Sequence, residues 1–334
     1  MLCDLSVSPQ QYDFNYLIQQ DPDWKTEKDI IRVLKKLGHN IKILVLYNNL
    51  EKLIQEIKEF KPDVVFNLTE SFRNERALSS QLLGVLDLLS VPYTGATPQT
   101  LMLCNNKGMT KKMLLHHHIK TPQFKISYIK KPLRSLKSFP YPAIVKPLRA
   151  EGSEGISQSS FVRSEKECLE RIQFLHTHLK MHALIEEYID GREFYISVMG
   201  QPYYEVFSIR EMTFRNIPPG DPKIATYHAK FSKEYRDKWG IRSEKARGLP
   251  ESIQEEIKKI GKKVCEALQI DSYVRQDMRM TESHEIYVLE VNPNPDIAQW
   301  EDFAWSADNE GIKYPELIDR IISQGLLRTF PGKI

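Results

Sequence analysis

Cysteine is scarce in this 334-residue chain: the four residues Cys3, Cys104, Cys168 and Cys265 stand far apart with no Cys-x-x-Cys pair. That spacing excludes a disulfide framework and a zinc ribbon. Long hydrophobic runs are missing too. The most apolar stretch, 82–91, is interrupted by Asp87, well short of the roughly 18 unbroken apolar residues of a membrane span. No basic segment followed by an apolar one opens the chain, so no secretory signal and no membrane partner are expected, and the expected location is cytoplasmic. An excess of one charge is also lacking: 47 basic against 44 acidic residues leave a net +3, no basis for nucleic acid as a partner. Glycine (15) and proline (19) are too few for a low-complexity chain, and no internal repeat is present. What is present is a globular composition, 41% hydrophobic and 27% charged, at a length that predicts about two domains, with three small ones allowed.

Periodicity gives the coarse organisation. Apolar positions predict a helix over 26–37, with Thr26 and Asp29 resembling a capping box and Gly38 closing it. Strands over 41–47 and 63–67 flank a helix beginning at Leu50, and a further helix precedes Val91-Pro-Tyr-Thr-Gly95. This alternation is βαβ grammar and predicts a parallel sheet, while the first 25 residues lack a strong opening strand. The later chain reads as mixed and largely antiparallel: strands over 143–146, 155–162, 194–199, 203–209, 273–280 and 285–292, with a long polar segment, 215–247, as the expected lid. The fold class is therefore α/β, becoming α+β toward the C-terminus, divided as 1–96, 97–185 and 186–334.

Three constellations carry chemistry. In Tyr273-Val-Arg-Gln-Asp-Met-Arg-Met280 and Glu285-Ile-Tyr-Val-Leu-Glu-Val-Asn292, strand alternation places Arg275, Asp277 and Arg279 on one face and Glu290 with Asn292 on one face of the next strand. A hairpin sets Asp277 opposite Glu290. Two carboxylates and an amide oxygen are hard ligands suited to Mg²⁺, although a solvated strand face has the same pattern. Second, Lys146 leaves an apolar strand and is followed by Gly152, Ser153 and Gly155. This order is the reverse of a Walker A loop, whose lysine follows its glycines; it suits phosphate binding or an ordinary tight turn. Third, Ala183-Leu-Ile-Glu-Glu-Tyr-Ile-Asp-Gly-Arg-Glu193 suits the border of a nucleotide cleft, or a plain hairpin at Asp190-Gly191. His116-His-His118 is a polar helix end, because successive helical residues diverge by about 100°.

In this order the three constellations, with Val91-Pro-Tyr-Thr-Gly-Ala96 and Asn106-Lys107 upstream, resemble the ATP-grasp fold and, within it, the D-alanine–D-alanine ligase branch. The resemblance implies that ATP phosphorylates a carboxylate and that an amine then attacks the acyl phosphate to form an amide. By the same resemblance Lys107 and Lys146 neutralise phosphates, the glycine loop (Gly152, Ser153, Gly155) covers them, Glu186, Glu187 and Ile189 border the adenine, and Glu193 binds ribose. Lys230 reaches the γ-phosphate, Arg275 and Ser153 serve the chemical step, and Asp277, Glu290 and Asn292 hold two Mg²⁺ ions, with Mn²⁺ as a substitute. Substrates are then small amino acids or peptides, and homodimers are common in the family. The chain departs from the family on the substrate side: a Pro-Gly-Met-Thr turn and a carboxylate-binding serine are replaced by Pro293-Asn-Pro-Asp-Ile-Ala-Gln-Trp300, and a His-Gly motif by Phe66-Asn-Leu-Thr-Glu70. ATP chemistry is expected to persist beside a rebuilt pocket; the alternative is a regulatory or scaffold protein that binds nucleotide without ligation.

Overall fold

The structure, a computed structural model, describes residues 1–5, 13–20, 24–150, 154–200, 203–218, 220–226, 228–229 and 232–330. In the N-terminal part β1 (Leu2–Asp4) runs parallel to β2 (Leu44–Leu46). Single parallel bridges, Leu2 to Asn67 and Val65 to Tyr93, carry the same direction outward. The expected strands over 41–47 and 63–67 thus shrink to three residues and to isolated bridges. Their backbone bonds are real, Leu2 donating to the Phe66 carbonyl and accepting from the Leu68 N–H, yet too few to form a ladder. Leu2, Leu46, Leu53, Val65, Leu83 and Leu86 bury against one another to hold this layer.

The helix Lys25–Lys36 buries Ile30, Ile31, Val33 and Leu34. Its expected capping box does not form. Trp24 is the N-cap and gives no side-chain bond, because Thr26 and Asp29 are engaged elsewhere: the Thr26 hydroxyl donates to Asp296, and Asp29 accepts from the Gln299 N–H. The helix start is spent on fixing the segment that follows the last strand.

The central sheet has the order β3 (Phe124–Ser127), β6 (Ala183–Glu187), β4 (Ala143–Pro147), β5 (Phe161–Val162), all pairs antiparallel. The helix Glu165–Thr177 covers it with Cys168, Ile172 and Leu175. The strand expected over 155–162 is reduced to β5. Before it, Ser157 and Ser160 bond each other's backbone across a 3₁₀ turn, Gln158–Ser160, the local competition that serine offers a ladder.

The third sheet is antiparallel, with β7 (Arg192–Met199), β8 (Glu205–Val206), β9 (Arg210–Phe214), β10 (Ile241–Lys245), β11 (Tyr273–Met280) and β12 (Ile286–Pro293). Its order is β10-β9-β7-β11-β12, with β8 on the side of β7. The helix Glu251–Ala267 closes one face through Ile257, Val264 and Cys265 against Ile196, Val198, Val274 and Met278. The polar segment 215–247, expected as a loop, contains the helix Lys233–Trp239 and β10. Its strand is legible only through its partner β9, since Arg242, Ser243 and Lys245 remain exposed.

Asp190-Gly191 is not a hairpin. β6 belongs to the central sheet and β7 to the third, so the chain passes between sheets there. Gly191 has φ +144°, and a Cβ on it would lie 2.0 Å from the Met280 carbonyl oxygen. Gly191→Ala is therefore expected to destabilise the protein by about 2 kcal/mol or more, the scale of strained backbone, read as a lower urea midpoint.

Candidate active site

The two larger sheets face each other across a cavity of about 910 Å³. Its floor is one face of the third sheet. Registers place Lys245, Arg210, Tyr195, Asp277 and Glu290 in a single row across five strands, and paired residues share a face. The sequence-predicted pairing of Asp277 with Glu290 is observed, and Arg275 lies opposite Asn292.

Arg275 is held on two sides. Its Nε donates to Asp277 Oδ1 at 2.8 Å and a terminal nitrogen to Oδ2 at 3.2 Å, while its guanidinium lies 4.8 Å from the Tyr195 ring centroid. Burial acts against its charge, but Asp277 outweighs it and raises the pKa above the ordinary arginine value. Asn292 Nδ2 reaches Asp277 Oδ1 at 3.4 Å. Among the described residues no group of three or more His, Cys, Asp or Glu side chains is set to hold a metal. The donor set here is two carboxylates and one amide, which fits Mg²⁺ completing its shell with phosphate oxygens and water.

Opposite this floor, Lys107 opens the helix Lys107–His116, whose N-cap Asn106 accepts from the Met109 N–H. Its Nζ lies 2.9 Å from Glu290 Oε1 and also donates to the Ala150 carbonyl. Lys146 on β4 is buried, with Nζ 2.9 Å from Glu186 Oε2. Burial works to lower its pKa, yet Glu186 and Glu290 prevail and raise it. Gly155, at φ +70°, gives its carbonyl to Arg171.

The hinge side is tied together by Arg279. It donates to the Ile189 carbonyl at 2.9 Å and the Lys223 carbonyl at 2.8 Å, pairs with Glu193, and lies 5.2 Å from the Tyr188 ring. Glu187 turns away from the cleft, its backbone and side chain meeting the backbone of Gln123. Glu186 is more constrained than the sequence suggests. Its two oxygens are divided between Lys111 and Lys146, both at 2.9 Å, and although burial alone would raise its pKa, the two ammonium groups bring it below the ordinary value. Gly152, Ser153 and Lys230 lie outside the described residues.

Sequence reasoning missed Lys111, Tyr195 and a role for Arg279. Lys111 carried a usable signal, four residues after Lys107 on one helical face; Tyr195, an aromatic on an apolar strand, carried none.

At its other end the cavity is lined by 293–296 and 300–302. Asn294 accepts from the Ala96 N–H at 2.7 Å, Lys25 pairs with Glu301 at 3.2 Å, and Trp300 and Trp305 sit with ring centroids 5.7 Å apart. Arg210 donates to Asp302 at 2.8 Å.

Residues 103–323, more than half the chain, match the family described as D-ala D-ala ligase C-terminus. The chain belongs to this D-alanine–D-alanine ligase family. Relatives of this family extend over nearly the whole length: the D-alanine–D-alanine ligase of Aquifex aeolicus is 25% identical, over 90% of this chain and 94% of its own. That of Clostridium botulinum strain Alaska E43 is 26% identical, over 90% and 93%. An uncharacterized protein of Sinorhizobium fredii is 24% identical over 94% and 91%. Among solved structures, the D-alanine–D-alanine ligase of Bacillus anthracis complexed with ATP superposes with a TM-score of 0.73 at 22% identity, covering 97% of this chain and 96% of that one. The ligase fold is thus the ATP-grasp fold, with a small parallel sheet in its N-terminal part. None of its described helices is long and apolar enough to cross a membrane.

Proposed function

We propose that this D-alanine–D-alanine ligase-like, ATP-dependent ligase joins a carboxylate to an amine of amino-acid or peptide substrates, with two Mg²⁺ ions escorting the nucleotide. The observation that carries the reading is the facing of Lys107 and the Glu290–Asn292 strand end across one cleft, with Arg275 clamped beside them. Asp277, Glu290 and Asn292 are the metal-holding residues; Mg²⁺ bound there supplies positive charge to the phosphate oxygens. Lys107 and Lys146 bind phosphates, Glu193 the ribose, and the backbone at 186–189 borders the adenine, with Lys230 and the 152–155 loop closing over the nucleotide. In this reading the Lys107–Glu290 ion pair keeps both groups placed, Lys107 for a phosphate and Glu290 for the Mg²⁺ it would hold. Arg275, bearing a charge that burial cannot remove, faces the charge that develops as the acyl phosphate forms and is attacked. The expected units 1–96, 97–185 and 186–334 are kept with one change: Glu186 and Glu187 pair within the central sheet as the end of β6, so the second boundary belongs after Glu187, where the chain passes to β7.

The test is ADP release from Mg-ATP with a panel of amino acids and dipeptides. Turnover dependent on both a carboxylate and an amine, with an amide product seen by mass spectrometry, is expected. ATP binding without turnover across the panel would overturn it in favour of a nucleotide-binding protein. D-alanine alone in the same assay decides whether the wall built from Asn294, Trp300 and Glu301 still admits that substrate.

A further inference from the structure

Lys111 is the most buried lysine among the described residues, 1% exposed against 7% for Lys146, and neither of the two lines the cleft cavity itself. Its Nζ donates to the Thr121 hydroxyl at 2.7 Å and lies 2.9 Å from Glu186 Oε1. Thr121 in turn donates to the Val288 carbonyl on β12 at 2.8 Å. The other Glu186 oxygen meets Lys146. The result is a buried row, cation, anion, cation, whose far end is the lysine assigned to phosphate.

Packing alone does not explain it. An apolar side chain would fill the interface between helix and sheet without the desolvation that a buried ammonium carries. The charge count does explain it: Glu186 with Lys146 alone would be neutral, whereas with Lys111 the row keeps one net positive charge. We propose that Lys111 is a positioning residue for nucleotide binding, sharing Glu186 so that Lys146 stays fixed in place with its charge available to the phosphates. This rests on the reading of Lys146 given above.

The same geometry predicts a pH dependence. Burial lowers the Lys111 pKa to about 8 against the opposing attraction of Glu186, with Lys146 lowering it further and Glu290 raising it. Thr121 is the neutral group completing its surroundings. A lysine whose pKa falls to about 8 holds its charge below that pH and loses it above, so nucleotide affinity falls as pH rises through that value.

Titration calorimetry of the full chain with ADP and with ATP tests the proposal. At pH 7, Lys111→Met is expected to weaken binding about tenfold, as loss of one nearby charge in a partly screened site does, while kcat at saturating ATP changes little. Lys111→Arg stays within about threefold of the parent protein and removes the alkaline loss of affinity, because guanidinium does not titrate there. Equal binding by Lys111→Met and the parent overturns the proposal. Should Lys111→Met fail to fold, an arginine variant that keeps the parent pH profile overturns it equally. Absence of nucleotide binding in the parent protein would instead overturn the ligase reading.

Discussion

Glu290→Ala is expected to reduce ADP release by about a thousandfold or more, the scale of losing a charge-stabilising contact to the reacting group. The carboxylate stands where two demands meet. In the structure it faces Asp277 across the strand pair and holds Lys107 at 2.9 Å, and in the proposed reaction it grips the metal. Folding should survive, because the Glu290 side chain is 20% exposed and its removal leaves Lys107 the Ala150 carbonyl. Circular dichroism and the thermal midpoint check that point. Glu290→Gln separates charge from shape: the amide fits the same space, so activity near the parent level in that variant would show that shape alone is needed and would remove the metal assignment. The residual activity of either variant should need much higher Mg²⁺ for half-saturation, whereas a merely structural role predicts an unchanged Mg²⁺ dependence.

What the sequence made legible follows from how local each feature is. Alternation along 273–280 identifies the floor of the cleft because one residue's face dictates the next, whereas the pairing of Asp277 with Glu290 also needs a β-bulge between Asp277 and Met278 that shifts the register by one residue, which alternation alone does not show. The Asp190-Gly191 passage was open to misreading for the opposite reason: Asp-Gly is a hairpin signal, and only the partners of β6 and β7 in two different sheets show that the chain changes layers there. Likewise Thr26 and Asp29 satisfy a capping pattern in sequence, but contacts some 270 residues away, Asp296 and Gln299, take their side chains. Glu186 could be placed at the nucleotide by resemblance, yet its division between two lysines depends on a helix and two strands meeting, which no window of sequence contains. The departure of 293–300 from the family motif is legible in the sequence; that the helix Lys25–Lys36 pins this segment is visible only in three dimensions.

The second large effect is expected at Arg275, where charge and shape are both needed. Its fork engages both oxygens of Asp277 and its plane lies against Tyr195, so a lysine there keeps the charge and loses the geometry. Arg275→Lys should therefore lower kcat by about a hundredfold, and Arg275→Met by about a thousandfold, the range for a contact made chiefly with developing charge. ADP affinity should change by only a few fold in both, since the ground-state phosphates have Lys107 and Lys146. Tyr195 separates positioning from charge. Tyr195→Phe keeps the ring beneath the guanidinium and loses only weak hydroxyl contacts to Glu193 at 3.4 Å and Met212 at 3.3 Å, so its kcat should match the parent. Tyr195→Leu removes the ring and should lower kcat without altering ADP binding. A lysine variant within twofold of the parent kcat would mean that Arg275 serves Asp277 alone, as its neutralising partner, and the chemical step would then depend on another cation of the cleft.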